Sequence, residues 1–516
     1  LANACKSLQF WPEGERIGVA MNLSDLLRRT ASRVPSKTAL VVASDGATVS
    51  FEQLDQEADR VARGLAAIGV TAGDRVAVGM HNVAHFAYAY FGILRAGAVV
   101  VPLNVMLTGD EVVRVLKDSG SKAVLTTAPF SSVVEAAGAE IGVRVFSAQS
   151  WDELGPLGDP APDPNVTEDD LAVLAYTSGT TGEPKGAMLT HGNLLANLDQ
   201  QMSIPEAHVT EDDVLFLALP LFHIYGLNVT LGLLVMNAAK GVLVERFEPV
   251  PALNLIQQHR VTVLFGAPPM YTAWCATPGA DQYDLSSVRL AISGAAPLPA
   301  DVLREFRDVF NVEIYEGYGL TETAPTLTSN RMTDKPRAGS IGKPLPGIDL
   351  RIVDEADIDV ELGDPGEIIV KGPNVFKGYW HRDEETSAVL RDGWFRTGDI
   401  AVQDEDGYLY LVDRKRDLII VSGFNVFPSE VEAALLANPV VAEAAVIGQP
   451  HPYTGETVKA FVVLESGQSA TEAELVADVQ THLGRFKCPT AIEVVESLPH
   501  LLTGKVLRRA LRANAS

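Results

Sequence analysis

The chain has 516 residues, more than one hydrophobic core accommodates, so at least two domains are expected. Apolar residues make up 47% and charged residues 21%, as in an ordinary soluble globular protein, and no uninterrupted apolar run of about 18 residues predicts a membrane span. A net charge of -25 disfavours a nucleic-acid partner, because a polyanion would be repelled.

Residues 1–20 lack a basic region followed by an apolar one, so they do not read as a secretory leader. An N-terminal extension outside the fold and a short docked arm are both open for them. From Met21 onward the pattern alternates. Leu23 to Arg29 is helix-like, and Phe51 to Ile68 has helical period with Leu54, Ala58, Val61 and Leu65 on one face. Arg75 to Met80 reads as strand, Ala84 to Ala96 as helix and Ala98 to Pro102 as strand. Thr108 to Asp118 is helical, Ala123 to Thr126 strand, Ser131 to Ala139 helical and Val143 to Phe146 strand. Further strand cores lie at Val214–Leu219, Val242–Val244, Val261–Phe265 and Val288–Ser293. This alternation predicts an α/β fold with doubly wound parallel sheets, present twice. From about residue 335 the texture changes to short β segments at Ile348–Val353, Glu367–Lys371 and Tyr408–Val412. The run Asp413 to Asp417, DRKRD, is a solvated turn or a hinge. Beyond it, a helix at Ser429–Ala437, strands at Val440–Ile447 and Val458–Leu464, and a helix at Glu472–Leu483 predict a small α+β domain. Cys5, Cys275 and Cys488 have no zinc spacing and no disulfide framework, which suits a reducing, cytoplasmic setting.

Tyr176 to Gly186, YTSGTTGEPKG, carries the most functional information. A strand-like run, Leu171 to Ala175, precedes it, and a helix with Thr190 as N-cap follows. Glycines let backbone N–H groups turn toward an anion, and hydroxyls and a lysine add donors and charge. The stretch therefore reads as a phosphate cradle, with a flexible Gly/Thr surface loop as the plain alternative. It is not a Walker A loop, since Lys185 follows Pro184 and precedes Gly186.

Other stretches hold more Gly, Tyr and charge than packing requires. These are PLFHIYG (220–226), SGAAPLP (293–299), YEGYGLTET (315–323), WFRTGD (394–399), DRKRD, VSGFNVFPSEVE (421–432) and TGKVLRR (503–509). With the YTSGTTGEPKG loop, their order and spacing resemble the adenylate-forming superfamily of acyl-CoA synthetases, peptide-synthetase adenylation domains and luciferases. The wording is most similar to bacterial fatty-acid or acyl-CoA ligases, and the resemblance covers nearly the whole chain.

The resemblance implies two half-reactions: a carboxylate attacks the α-phosphate of MgATP to give acyl-AMP and pyrophosphate, then a thiol, usually of coenzyme A, displaces AMP. It implies a large N-terminal adenylation domain over 21–413, a hinge at 414–416 with Arg416 as hinge residue, and a small mobile C-terminal lid over 417–516. Thr177, Ser178, Gly179, Thr180, Thr181, Gly182 and Lys185 would cradle the outer phosphates, and Thr177 with Glu322 would hold Mg²⁺ through hard oxygen atoms. Gly294, Ala295, Ala296, Glu316, Gly317, Tyr318 and Gly319 would surround adenine, with Tyr318 stacking. Thr321 would donate to the α-phosphate. Asp399 would accept the ribose hydroxyls, with Arg414 on the hinge side. Lys505 would bridge carboxylate and α-phosphate, stabilising charge in the transition state.

His223 is either a hydrogen-bonded structural residue or a gate for thiol entry at the mouth of the acyl pocket. That pocket would be lined by Tyr225, Gly226, Leu227, Phe265, Gly266, Gly319 and Leu320, walls that favour an apolar acid with no second charge. Ser422, Gly423 and Phe424 are implied near the CoA and hinge side. An acyl-AMP ligase loading a carrier protein is the alternative. A luciferase-like oxygenase and a non-enzymatic binding module find less support in the residues. The identity of the acid and the oligomeric state stay open, a homodimer being common among similar enzymes.

Overall fold

A computed structural model describes residues 22–147, 151, 153–155, 164–177, 184–205, 207–333, 336–414, 417–421, 424–451, 454–500 and 506–514. By packing, the chain divides into two compact units. The first comprises Leu1–Ala338, Gly342–Asp349 and Val370–Phe395, and the second Gly339–Ile341, Leu350–Ile369 and Arg396–Ser516.

The first unit contains the two expected parallel sheets. One has nine strands, in the order Lys343–Pro344, Thr326–Ser329, Ile314–Gly319, Leu290–Ser293, Val263–Gly266, Val214–Leu217, Lys240–Leu243, Thr38–Val42, Thr48–Ser50. From Ile314–Gly319 through Thr38–Val42 every pairing is parallel, and antiparallel strands close both edges. The other has six strands, in the order Arg144–Phe146, Ala123–Thr126, Arg75–Gly79, Val99–Pro102, Leu171–Thr177, Lys185–Thr190. Parallel strands covered by helices on both faces need apolar side chains on both faces. Val99–Pro102, Ala123–Thr126 and Leu290–Ser293 meet this need, being buried at every position. The helices end where the sequence marks them. Ser50, Thr108 and Thr190 each form a reciprocal capping box at a helix start.

One local expectation is corrected. The strand before the YTSGTTGEPKG stretch and the helix capped by Thr190 are both present, but a second, unforeseen strand lies between the loop and that helix. Lys185–Thr190 is itself a strand, antiparallel to Leu171–Thr177, with Thr177 opposite Lys185 and Tyr176 opposite Gly186. The helix His191–Met202 begins only after it. Thr177 and Lys185 therefore form the last pair of the hairpin stem, on either side of residues 178–184.

In the second unit, Phe424–Val426, Ile419–Val421, Gly455–Leu464 and Val441–His451 pair antiparallel in that order, and Ala491–Val494 joins Gly455–Leu464 in parallel. Its core gathers Ile419, Val426, Val431, Leu435, Val446, Val458 and Val479. A C-terminal helix, Arg508–Asn514, follows a β-bridge between His500 and Val506.

Candidate active site

The hairpin stem fixes the phosphate-side residues. Tyr176 donates its hydroxyl to Asp118 Oδ2 at 2.6 Å, which ties the strand to the end of the helix Gly109–Ser119. At the stem's end the Thr177 hydroxyl lies 3.5 Å from the Lys185 carbonyl oxygen. The Lys185 ammonium sits 5.4 Å from the ring centroid of Tyr379. Ser178, Gly179, Thr180, Thr181 and Gly182 lie outside the described residues.

The YEGYGLTET stretch is the strand Ile314–Gly319 followed by a tight turn at Thr321–Thr323. Strand alternation buries Ile314, Glu316 and Tyr318 and leaves Gly317 and Gly319 half-buried. Gly319 has to be glycine, because a Cβ there would collide with the Pro325 carbonyl oxygen. Glu322 is 9% exposed, and its Oε1 accepts the Tyr379 hydroxyl at 2.8 Å. The strand Lys185–Thr190 packs against this turn. Lys185 and Glu322, expected to serve one triphosphate, thus meet the same tyrosine. Among the described residues no group of three or more His, Cys, Asp or Glu is arranged to hold a metal unaided. A single buried carboxylate with a threonine hydroxyl suits Mg²⁺, which keeps waters and arrives on phosphate oxygens.

The small-residue turn after Ser293, expected to face adenine, is closely packed. Gly294 is buried, and a Cβ on it would lie 3.1 Å from Tyr225 Cε1. Ala295 has a φ of 72° and is exposed, and Ala296 is half-buried. Glu316 Oε1 accepts the Leu298 backbone N–H at 3.0 Å and so pins the turn to the strand. Its Oε2 is buried with no partner among the described residues. Burial pushes the Glu316 carboxyl up to about 7, with the Leu298 N–H pulling against it.

His223 leads into a π-helix, Tyr225–Gly232, all eight residues of which are buried. Such wide turns collect at functional sites. Here one places Tyr225 edge-on to Phe265, with ring centroids 6.3 Å apart. Burial drives the His223 imidazole down to about 4, so it is neutral near pH 7. Its Nδ1 lies 3.3 Å from the Tyr225 backbone N–H, which makes Nδ1 the acceptor. Phe265 is fully buried, and Gly266 abuts Tyr271.

Sequence reasoning missed two residues here. Arg331 is only 4% exposed and close enough to Tyr225 for their charges to interact, burial lowering its pKa to about 10. Its Nε donates to Ser329 Oγ at 3.3 Å, Nη1 to the Ala207 carbonyl at 3.0 Å, and Nη2 to Gln201 Oε1. Nothing in the local wording SNRM marks that burial. Tyr379 was the other, although the Gly378-Tyr379-Trp380 run was the available signal.

In the second unit Asp399 is 3% exposed and is the register partner of Arg414 in the antiparallel pairing of Trp394–Gln403 with Leu409–Arg414. Asp399 N donates to Thr397 Oγ1 at 3.1 Å. Phe424 opens the strand Phe424–Val426. Arg416, Ser422, Gly423 and Lys505 lie outside the described residues. His500 and Val506, which flank residues 501–505 in the chain, form a β-bridge. Arg508 is held by Glu432 at 2.7 Å and by Asp417 at 3.5 Å, so the basic tail is partly spent on internal ion pairs.

The model of the AMP-binding enzyme family matches residues 27–380, and that of the AMP-binding enzyme C-terminal domain matches residues 430–505. The chain belongs to the AMP-binding enzyme family. Among curated relatives of this AMP-binding enzyme, a feruloyl-CoA synthase of Amycolatopsis sp is 40% identical over 94% of this chain and 97% of the relative. A long-chain-fatty-acid–CoA ligase of Bacillus subtilis (strain 168) is 37% identical over 95% and 94% respectively. Among solved structures, ATP-bound MatB from Rhodopseudomonas palustris superimposes with a TM-score of 0.87 at 36% identity, over 96% of this chain and 99% of that one. These relationships make the chain an AMP-forming acyl-CoA synthetase, a ligase that uses ATP and coenzyme A and works through an acyl-adenylate. Among the described residues no helix is long and apolar enough to cross a membrane.

Proposed function

We propose that this AMP-binding enzyme activates an apolar monocarboxylic acid, a fatty acid or another acid without a second charge, and transfers it to coenzyme A. The observation that carries this reading is the state of Arg331. Among the described residues Arg331 is a buried cation that interacts electrostatically with Tyr225, and each of its nitrogens makes one hydrogen bond within the protein. Three of its five N–H donors are thus committed inside the protein, and a second substrate carboxylate would still have to bury its own charge. The remaining wall residues, Tyr225, Leu227 and Phe265, are buried and apolar or aromatic, which suits a hydrocarbon or aryl acid.

In the first half-reaction a substrate carboxylate oxygen bonds to the α-phosphorus and the bond to pyrophosphate breaks. No base is needed, since a carboxylate is ionised at neutral pH. Lys505 would lie between the two negative groups and stabilise charge that builds only in the transition state. Thr321 would donate to the α-phosphate, and Lys185 with the 178–182 loop would neutralise the departing pyrophosphate. Thr177 and Glu322 would hold Mg²⁺, which when bound supplies Lewis-acid stabilisation of phosphate charge. Glu316, whose carboxyl burial pushes up to about 7, would meet the adenine edge, and Asp399 the ribose hydroxyls. In the second half-reaction the CoA sulfur bonds to the acyl carbon and AMP leaves. The neutral His223 is the gate we assign to thiol entry. Arg416 is the proposed hinge residue between the large domain, 21–413, and a lid, 417–516, whose movement would exchange Lys505 for the CoA-side residues Ser422, Gly423 and Phe424.

The test is acid-dependent AMP release across fatty, aryl and dicarboxylic acids, with and without CoA. Apolar monoacids should give CoA-dependent acyl-CoA. Preference for a dicarboxylate would overturn the monoacid reading. Acyl-AMP with no CoA-dependent product would favour a carrier-protein acceptor.

A further inference from the structure

The segment Asn374–Trp380 is stitched to two places at once. Toward the strand that carries Lys185, Lys377 N donates to Met188 O at 2.9 Å, Met188 N to Gly378 O at 2.9 Å, and Trp380 N to Gly186 O at 2.8 Å. Toward the turn that carries Glu322, Phe376 N donates to the Glu322 carbonyl at 2.8 Å, and the buried Asn374 amide donates to Thr323 O at 2.7 Å. Tyr379 lies between these two sets of bonds. Its backbone N–H is fixed by Thr386 Oγ1 at 2.9 Å, its hydroxyl donates to Glu322 Oε1 at 2.8 Å, and its ring centroid is 5.4 Å from Lys185 Nζ. A phenol keeps its proton at neutral pH, so the hydroxyl is the donor in this bond and the carboxylate the acceptor.

We propose that Tyr379 is a positioning residue for the divalent-cation and triphosphate end of the nucleotide site, its hydroxyl orienting the Glu322 carboxylate and its ring holding the Lys185 ammonium beside it. This rests on the reading of Glu322 as the metal-bearing carboxylate. A neutral O–H on that carboxylate fixes its direction without neutralising it. The cation–π contact is worth only about 0.5–2 kcal/mol, so Lys185 is held near its place yet released to a phosphate that bonds it directly. Partners that orient a metal-bearing side chain typically change metal affinity about 10–100-fold when removed.

Three variants test this in the full chain. Tyr379→Phe removes the hydroxyl and keeps the ring, Tyr379→Leu removes both, and Glu322→Gln is the reference. Two quantities are read on protein shown folded by near-ultraviolet circular dichroism. One is the Mg²⁺ concentration for half-maximal acid-dependent pyrophosphate release. The other is the calorimetric Kd for ATP with and without Mg²⁺. Tyr379→Phe should raise the Mg²⁺ midpoint about 10-fold and reduce the gain in ATP affinity given by Mg²⁺ to match, while metal-free ATP binding and the KM for the acid stay within about twofold. Tyr379→Leu should also weaken metal-free ATP binding about threefold, because Lys185 loses the surface that holds it. If Glu322→Gln shifts the Mg²⁺ midpoint and neither Tyr379 variant does, the positioning role is overturned while the metal reading stands. If Glu322→Gln leaves the midpoint unmoved, the metal reading falls and the role of Tyr379 falls with it.

Discussion

His191 is completely buried at the start of the helix His191–Met202, and its Nδ1 accepts the Leu23 backbone N–H at 2.9 Å. Its Nε2 is buried without a partner among the described residues. Burial lowers its pKa from 6.5 to about 4, against a smaller opposing pull from Asp170. The folded chain keeps this imidazole neutral while the unfolded chain protonates it, so its contribution to stability is present above pH 6.5 and is lost as pH falls toward 4. Urea denaturation at a series of pH values should show the unfolding free energy falling across that window, with His191 contributing up to about 1.4 kcal/mol per pH unit. His191→Asn should flatten that part of the slope, and an unchanged slope would mean the imidazole is not the titrating group.

Arg95 poses the opposite problem, a buried charge that is paired. It is 1% exposed and meets Asp55 at 2.5 Å and Asp59 at 2.9 Å. Arg95→Met should cost about 3 kcal/mol in denaturant titrations, because it leaves the buried Asp59 and the half-buried Asp55 short of their shared cation. The sequence run LRAG showed an arginine at a helix end, but not that helix Phe51–Ala67 supplies both acids.

Among elements, the phosphate hairpin and the π-helix depart furthest from what local pattern suggested. Glycine, threonine and lysine marked Tyr176–Gly186 as a candidate anion site. Its setting was not legible, since Gly186 to Thr190 carries no turn signal that separates a second strand from a loop leading to a helix. Only the pairing of Thr177 with Lys185 decides it. The π-helix was equally hidden, because Tyr225–Gly232 has no period distinguishing it from an ordinary buried helix. Gly226 shows what the wide turn demands, since a Cβ there would strike the Pro220 carbonyl oxygen. Gly226→Ala should destabilise the fold by about 1–3 kcal/mol and raise the KM for the acid more than that for ATP. Equal effects on both KM values would mean the element does not shape the acyl pocket.

For the whole molecule, the assigned chemistry is divided between residues far apart in sequence. Lys185 and Glu322 belong to the first compact unit, and Asp399 and the segment 501–505 to the second. If Lys505 acts only in adenylation, Lys505→Ala should reduce acyl-AMP formation by at least about a hundredfold, a loss of a few kcal/mol of transition-state stabilisation. The same variant should form acyl-CoA from supplied acyl-AMP at close to the normal rate. Equal loss of both half-reactions, measured by single-turnover kinetics, would count against the lid exchange.

The sequence by itself determined the α/β alternation, the helix cap at Thr190, and the motif set that marks an AMP-binding enzyme. These rest on side-chain period and local backbone chemistry, which neighbouring residues carry. The tertiary structure decided which groups meet. Tyr379 reaches Glu322 across 57 residues of chain, Arg331 spends its donors on Gln201 and Ala207, and Glu316 keeps a buried oxygen without a partner among the described residues. Such pairings follow from sheet register and burial, and both depend on contacts between segments that the chain order keeps apart.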